Sequence, residues 1–431
     1  MEPLIRGQLH ASVIDPAATS MNFLNEVAER FPNAVSLAAG RPYDGFFDVK
    51  DITRYIDVFI AHLRAQGRDE RQIALMLMQY GRTNGILGEL IAATLATDEG
   101  ITVAPETIAV TAGCQEAMVI VLRALCASPE DVLLAASPCY VGITGAARIV
   151  GVEVVPVPEG PDGLDPATVE RVAAEVRAGG RRPRAFYVVP DFANPSGDCM
   201  PVARRLELLR VAERAELLIM EDDPYGLFGA DDRPRPKLKA LPGGERVIYL
   251  GSFAKSGLPG ARVGFVVADQ VVSDAAGTHS LLADELSTVK SMLTVNTAPV
   301  AQAVIGGLLV DCGCSLRARN TATIEHYRGN LATLLATLDE QFPDPAAAGV
   351  GWRVPAGGFF AVINVPFVAD PAALEVSARE FSVLWTPMLF FYPDGGGEHS
   401  LRVSYSALEA DEVADGVRRL AAFIRAMSAP R

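Results

Sequence analysis

Residues 247–267 read VIYLGSFAKSGLPGARVGFVV: two short β-branched runs enclose a polar, glycine-rich segment that carries one lysine, Lys255. Lysine is scarce in this chain. Lys50, Lys237, Lys239, Lys255 and Lys290 are all there are among 38 basic residues, so arginine serves as the solvated cation. A lysine set among small residues between two strands, with Ser252 before it and Arg262 after it, is placed for chemistry rather than for solubility.

Outward from this segment the same pattern repeats. TIAVTAG leads into CQEAMVIVLRALC and DVLLAAS into YVGITGAARIV; VEVVPVP, AFYVVP, ELLIMEDD, RVIYLGS and RVGFVVAD follow at regular spacing. Short strand-like runs alternating with helical stretches specify an α/β fold, with a mostly parallel sheet covered by helices. DITRYIDVFIAHLRAQ carries Ile52, Ile56, Phe59, Ile60 and Leu63 at helical spacing, and Asp15-Pro16 is a helix start leading into AATSMNFLNEVAERF. After Pro299 a helical region runs towards Glu340. GWRVPAGGFFAVINVP, FSVLWTPMLFFYP and SLRVSYSAL then form a second αβ set, closed by a helix over 409–427, and PAGGFF reads as a tight turn feeding a strand. The expected division is an N-terminal arm over 1–48 that packs on the small domain, a large domain over 49–310, and a smaller α+β C-terminal domain over 311–431.

Composition narrows the function. A net charge of −14 without a basic run excludes binding through the phosphate backbone of nucleic acid. No stretch reaches 18 uninterrupted apolar residues; the richest, TAPVAQAVIGGLLV, is broken by Gln302 and Gly306–Gly307, so no membrane span is expected. MEPLIRGQLHASVIDP lacks the basic and apolar regions of a signal peptide, which makes the cytoplasm the default location. Six cysteines and five histidines show no metal-ligand spacing, and no metal is expected.

In an open α/β sheet, ligands bind beyond the carboxyl ends of the strands. The polar residues there are Gly113-Cys114-Gln115 at a helix start, Tyr140, Asn194, Asp222, Tyr225, Ser252, Lys255 and Arg262. They amount to an anion cup, an aromatic plate, an amide, an acid, a phenol, a lysine and an arginine. Pyridoxal 5′-phosphate meets each of them: its phosphate suits the Gly113–Gln115 amides, Ser252 and Arg262, its ring suits Tyr140, its ring nitrogen Asp222 and its aldehyde Lys255. Asn194 and Tyr225 suit its phenolic oxygen. Taken alone, Asp222 reads equally well as a turn residue and Tyr140 as a core aromatic.

GSFAKSGLPGARVGF resembles the lysine segment of fold-type I pyridoxal-phosphate aminotransferases of the class I/II group. Asn194-Pro195-x-Gly197, Asp222-x-x-Tyr225, Ser252-x-x-Lys255 and the spacing from Lys255 to Arg262 match that family in order, within a likeness that runs from about residue 35 to 410. The resemblance implies a transferase of fold type I, with Arg402 holding the substrate carboxylate, Gly40 turning the backbone beside the substrate, and Tyr80 reaching the cofactor phosphate of a neighbouring subunit. A homodimer with shared sites is therefore implied. Arg41, beside Gly40, and Arg353 compete with Arg402 for the carboxylate. Cys114 departs from the family, standing where a hydroxyl residue is usual in the phosphate cup.

SMNFLNEVAERFPNAVSLAAGRPYDGFFD and SPCYVGITGAARI are similar to the hydroxyphenylglycine and 3,5-dihydroxyphenylglycine transaminases of glycopeptide-antibiotic biosynthesis. That likeness implies transfer of an amino group from an L-amino acid such as tyrosine to a hydroxylated phenylglyoxylate, a 2-oxo acid. The rings of RPYDGFF and Phe23 either pack inward with the N-terminal arm or face the pocket, and in the second case a bulky aromatic substrate is favoured over a small dicarboxylic one. The implied course is ping-pong: Lys255 moves the α-proton, the donor leaves as its 2-oxo acid, and the acceptor runs the steps backwards. Rival readings are a lyase, synthase or decarboxylase on the same fold, and an aminoadipate- or kynurenine-type aminotransferase. A ligand-sensing regulator with an aminotransferase-like domain ranks last, because only some 35 residues of unrelated arm precede the family match.

Overall fold

The structure, a computed structural model, describes residues 3–14 and 26–429. The helix start at Asp15-Pro16 and the ring of Phe23 lie outside the described residues. The large sheet has seven strands: β1 (Ile108–Thr111), β2 (Asp131–Ser137), β3 (Glu153–Pro158), β4 (Arg182–Val188), β5 (Leu218–Asp223), β6 (Val247–Ser252) and β7 (Gly264–Val267). Their order is β1-β7-β6-β5-β4-β2-β3, and β2 to β6 run parallel. β7 runs antiparallel to both of its neighbours, with Ser252 opposite Gly264 and Gly251 opposite Phe265. The sheet is thus mixed at this one strand, because the connection over residues 253–263 is too short for the crossover that a parallel neighbour requires. Lys255 sits in that short return.

The central strands are buried on both faces, which explains why their sequences are apolar runs rather than alternating ones. Helix α1 (Lys50–Ala65) buries Tyr55, Phe59 and Leu63 on one side, whereas Ile52 at its start is exposed. Against it lies the helix Pro299–Asp311. Gly306 faces the ring of Phe59 there, and Gly307 is so close to the Tyr55 carbonyl that a Cβ would overlap it. Gln302 is satisfied as well, accepting from the Ile86 N–H at 2.8 Å and donating to the Thr297 carbonyl at 2.7 Å. The polar and glycine breaks in TAPVAQAVIGGLLV therefore serve helix packing, and among the described residues no helix is long and apolar enough to cross a membrane.

A second sheet holds β8 (Gly351–Trp352), β9 (Phe360–Asn364), β10 (Thr386–Pro387) and β11 (Ser400–Ser404), all antiparallel, in the order β8-β9-β11-β10. Gly357 and Gly358, at φ +147° and +80°, make the turn that PAGGFF announces before β9. The sheet has its own apolar core around Trp385, Phe423 and Leu334, which also takes in Val27 and Leu37; Val35–Ser36 pairs parallel with Val383–Leu384. The helix Thr321–Gln341 is rooted in both cores, with Ile324 and Tyr327 in that of the large sheet and Leu331, Leu334 and Leu338 in that of the small one.

Gly307→Ala tests the helix contact. Overpacking a backbone-to-backbone approach should lower the stability of the chain by about 1–3 kcal/mol, read as a drop in the urea midpoint, whereas Gly329→Ala, where a Cβ meets nothing within 4 Å, should not.

Candidate active site

A cavity of about 250 Å³ opens at the carboxyl ends of the parallel strands, walled on one side by the large sheet and on the other by β9, β11 and the turn Met388–Phe391. Ser252 ends β6 and caps the single helical turn Phe253–Ser256, accepting from the Ala254 N–H at 3.1 Å, and this turn aims Lys255 into the cavity. The Lys255 ammonium donates to the Gly40 carbonyl at 2.7 Å. Burial, with Arg402 and Arg262 adding their charge, lowers its pKa to about 8.

Asp222 lies at the end of β5. Tyr187 on β4 is in register with Met220 and shares the face of Asp222, so its hydroxyl reaches Oδ2 at 2.5 Å. The Cys114 thiol approaches Oδ1 at 3.4 Å. The thiol thus bonds to the carboxylate, while the backbone N–H of Cys114 stays at the helix start. As the first residue of α2 (Cys114–Leu125) its side chain tilts back towards the helix start and turns to the carboxylate instead. Burial raises the pKa of Asp222 to about 6 against the opposing pull of the two donors.

The anion cup is built from backbone. Gly113 caps α2 at φ +81°, where a Cβ would stand 2.7 Å from Arg262 Nη2; the first N–H groups of α2, the Arg262 guanidinium and Ser252 border one place. Gln115 and Tyr140 line the cavity beside them, and burial pushes the Tyr140 phenol up to about 12. Such a cradle, with a carboxylate and a lysine in the same cavity, fits a phosphorylated pyridine aldehyde.

Arg402, on β11, enters from the second sheet. Nη1 donates to Asn194 Oδ1 at 2.5 Å, and Nη2 donates to the Ala38 carbonyl at 3.1 Å and to Thr386 Oγ1 at 3.2 Å. Its Nε is buried without a partner, and all its acceptors are neutral. Phe360 and Phe391 cover the guanidinium, with centroids at 4.1 and 4.9 Å, and burial lowers its pKa to about 10. Asn194 also hydrogen-bonds the phenol of Tyr225, whose pKa burial raises.

Three groups of residues named from the sequence stand outside this cavity. Tyr80 is 85 % exposed and does not line the cavity of its own chain. The Arg41 side chain is exposed and its carbonyl accepts from the Ser406 hydroxyl, while Arg353 pairs with Asp198 at 2.9 Å; neither lines the cavity. The rings of RPYDGFF also lie elsewhere: Tyr43 stacks on His326 at 4.3 Å and bonds Glu409, and Phe46 and Phe47 stay exposed. The rings that do line the cavity are Tyr140, Tyr225, Phe360 and Phe391. Phe360 could have been found from its place directly after the glycine turn. Tyr187 sits inside a strand and gave no local signal.

The sequence model of the aminotransferase class I and II family matches residues 60–420. The chain belongs to this family. It is an α/β protein of fold type I and a transaminase, with pyridoxal 5′-phosphate as its cofactor. This aminotransferase is 47% identical to the (S)-3,5-dihydroxyphenylglycine transaminase of Amycolatopsis orientalis, over 97% of this chain and 94% of that one. The kynurenine aminotransferase of Pyrococcus horikoshii, solved with pyridoxamine phosphate, superposes with a TM-score of 0.81 at 25% identity over 97% of both chains. The α-aminoadipate aminotransferase of Thermus thermophilus, solved with N-(5′-phosphopyridoxyl)-L-leucine, gives 0.77 at 28% identity over 98% of both.

Because the neutral amine is the nucleophile, attachment of pyridoxal phosphate to cofactor-free aminotransferase should rise with pH around a midpoint near 8, where an unperturbed lysine at 10.5 is still almost wholly protonated. Borohydride reduction followed by peptide mapping measures it. Lys255→Arg should yield no reduced cofactor at any pH.

Proposed function

We propose that this aminotransferase moves the amino group of an L-amino acid such as tyrosine onto an arylglyoxylate of the hydroxyphenyl or 3,5-dihydroxyphenyl type, producing an arylglycine for secondary metabolism, as in antibiotic biosynthesis. The observation that carries the reading is the pairing of Arg402, a buried arginine with only neutral acceptors and an orphan Nε, with the ring wall of Phe360 and Phe391. A 2-oxo acid whose aryl group is attached directly to the carbonyl brings its carboxylate and its ring into that one corner. The 47% identity to the Amycolatopsis orientalis transaminase supports the same substrate class.

When bound, pyridoxal phosphate supplies the aldehyde carbon for the amino group and a ring that accepts the electrons of the broken Cα–H bond. The chain supplies the rest. Gly113, Cys114 and Gln115 through their backbone N–H groups, with Ser252 and Arg262, would hold the phosphate; Tyr140 would lie against the ring; Tyr225 and Asn194 would bind its phenolic oxygen; and Asp222 would hold a proton at the ring nitrogen. Arg402 would offer its unpartnered Nε and a neighbouring Nη to the substrate carboxylate and so orient the substrate, with the Gly40 backbone beside it. Lys255, released from the Gly40 carbonyl, would take the α-proton of the substrate on its Nζ.

Tyr80 completes the site from a second copy. Met78, Met292 and Leu293 are also exposed, at 81, 83 and 53 %, and the Gly81 turn approaches Asn296, so one apolar surface surrounds Tyr80. Covering it in a homodimer carries the phenol to the partner's phosphate cup. The cores support a large cofactor-binding domain over 49–310, a small domain from 311 onward and an arm over 1–48, with the helix Thr321–Gln341 spanning the junction. Six cysteines without a disulfide suit a cytoplasmic enzyme.

Steady-state assays with phenylglyoxylates, phenylpyruvates, 2-oxoadipate and aliphatic 2-oxo acids should rank the hydroxylated phenylglyoxylates first; a preference for 2-oxoadipate would move the enzyme to the aminoadipate type, and turnover without any 2-oxo acid to the lyases. Arg402→Ala should lower kcat/KM about 100-fold or more for every acceptor. By sedimentation the native protein should be a dimer, and Tyr80→Phe should remain one while releasing cofactor faster.

A further inference from the structure

We infer that Cys114 and Tyr187 form a two-sided clamp on Asp222, in which the thiol and the phenol hold the two carboxylate oxygens and so set how the carboxylate meets the ring nitrogen of the cofactor. This rests on the reading in which Asp222 faces that nitrogen.

The donors come from separate elements. Tyr187 reaches Oδ2 from β4 at 2.5 Å, and Cys114 reaches Oδ1 from the first turn of α2 at 3.4 Å. Tyr187 and Asp222 are 1 and 4 % exposed. Burial, followed by the charge of Asp222, raises both the thiol and the phenol well above their ordinary values, so each stays protonated and can only donate. The other titratable groups around Asp222 are Asp223, next in the chain, which opposes its charge, and Tyr140 and Tyr225 in the cavity wall.

The donors are unequal. A phenol at 2.5 Å from a carboxylate makes a short, charge-assisted bond, whereas a thiol at 3.4 Å is a weak donor. Oδ2 is therefore strongly engaged, and Oδ1 keeps most of its acceptor strength for the ring N–H. A hydroxyl at position 114 would compete harder for Oδ1. The departure from the family at Cys114 thus sharpens the basicity of the oxygen left to the cofactor. Because the ionised carboxylate is the working form and both donors favour it, removing either makes Asp222 take up a proton at higher pH. Cys114 and Tyr187 act through Asp222 and are positioning residues.

The test uses native enzyme and the variants Cys114→Ala, Cys114→Ser and Tyr187→Phe, each loaded with pyridoxal phosphate, a separate aliquot of each being reduced with borohydride to verify attachment at Lys255. The absorbance of the bound cofactor and the rate of the amino-donor half-reaction are followed against pH. In Cys114→Ala and Tyr187→Phe the acid limb should move to higher pH and kcat at pH 7 should fall about 3- to 30-fold with KM unchanged, the phenol variant showing the larger loss. Cys114→Ser should restore the native limb or carry it to lower pH. Variants that load at Lys255 with spectra and pH profiles coincident with the native enzyme overturn the clamp alone. A native enzyme that takes no cofactor at Lys255 overturns the clamp and the reading beneath it together.

Discussion

A single buried ammonium ties together the strand ends on which the active site stands. Lys237, 1 % exposed, lies 2.7 Å from Asp223, 2.9 Å from Asp191 and 3.4 Å from Glu99. Burial opposes its charge, but Asp191, Asp223 and Glu99 outweigh that cost and keep it protonated. Arg205, fully buried, closes the group from the other side of Asp191 at 2.5 Å. Asp191 begins the loop that carries Asn194, and Asp223 stands between Asp222 and the turn to Tyr225. Removing one member of such a group strands the others in a medium that cannot solvate them, which makes the arrangement rigid rather than merely stable. Three residues of the cofactor site inherit that rigidity.

The second sheet makes the opposite kind of contribution. Arg402 reaches the cavity with no carboxylate of its own and is held by a side-chain amide, a carbonyl and a hydroxyl between two aromatic faces. These neutral acceptors fix its direction without neutralising it. Under the function proposed above its counter-charge arrives with the substrate, so that one arginine serves donor and acceptor in turn.

Most of the fold, and the convergence of the strand-end residues on one cavity, was legible because those residues sit where local spacing and three-dimensional position coincide. Asn194-Pro195, Asp222-x-x-Tyr225 and the segment from Ser252 to Arg262 are of this kind. The reversed direction of β7 was not legible, since a β-branched run looks the same whichever way it runs. Phe391 was misplaced for a similar reason: MLFF reads as strand but forms a 3-10 turn whose carbonyl is held by the Cys139 N–H at 3.0 Å. The thiol of Cys114 turned away from the expected cup because the nearby carboxylate comes from a strand more than a hundred residues on. RPYDGFF kept its rings out of the cavity because His326 and Glu409, equally remote, hold Tyr43. In each case the deciding partner lay beyond any local window.

The cavity also has an electrical character that the chain as a whole lacks. Lys255, Arg262 and Arg402 converge there on one carboxylate, Asp222, in a protein whose formal charge is −14. The cleft is a small positive basin in a negative surround, and its low-dielectric walls concentrate the field lines at its mouth. An excess of cations in a cleft of an otherwise acidic chain favours the approach of anions over cations, an effect that added salt screens.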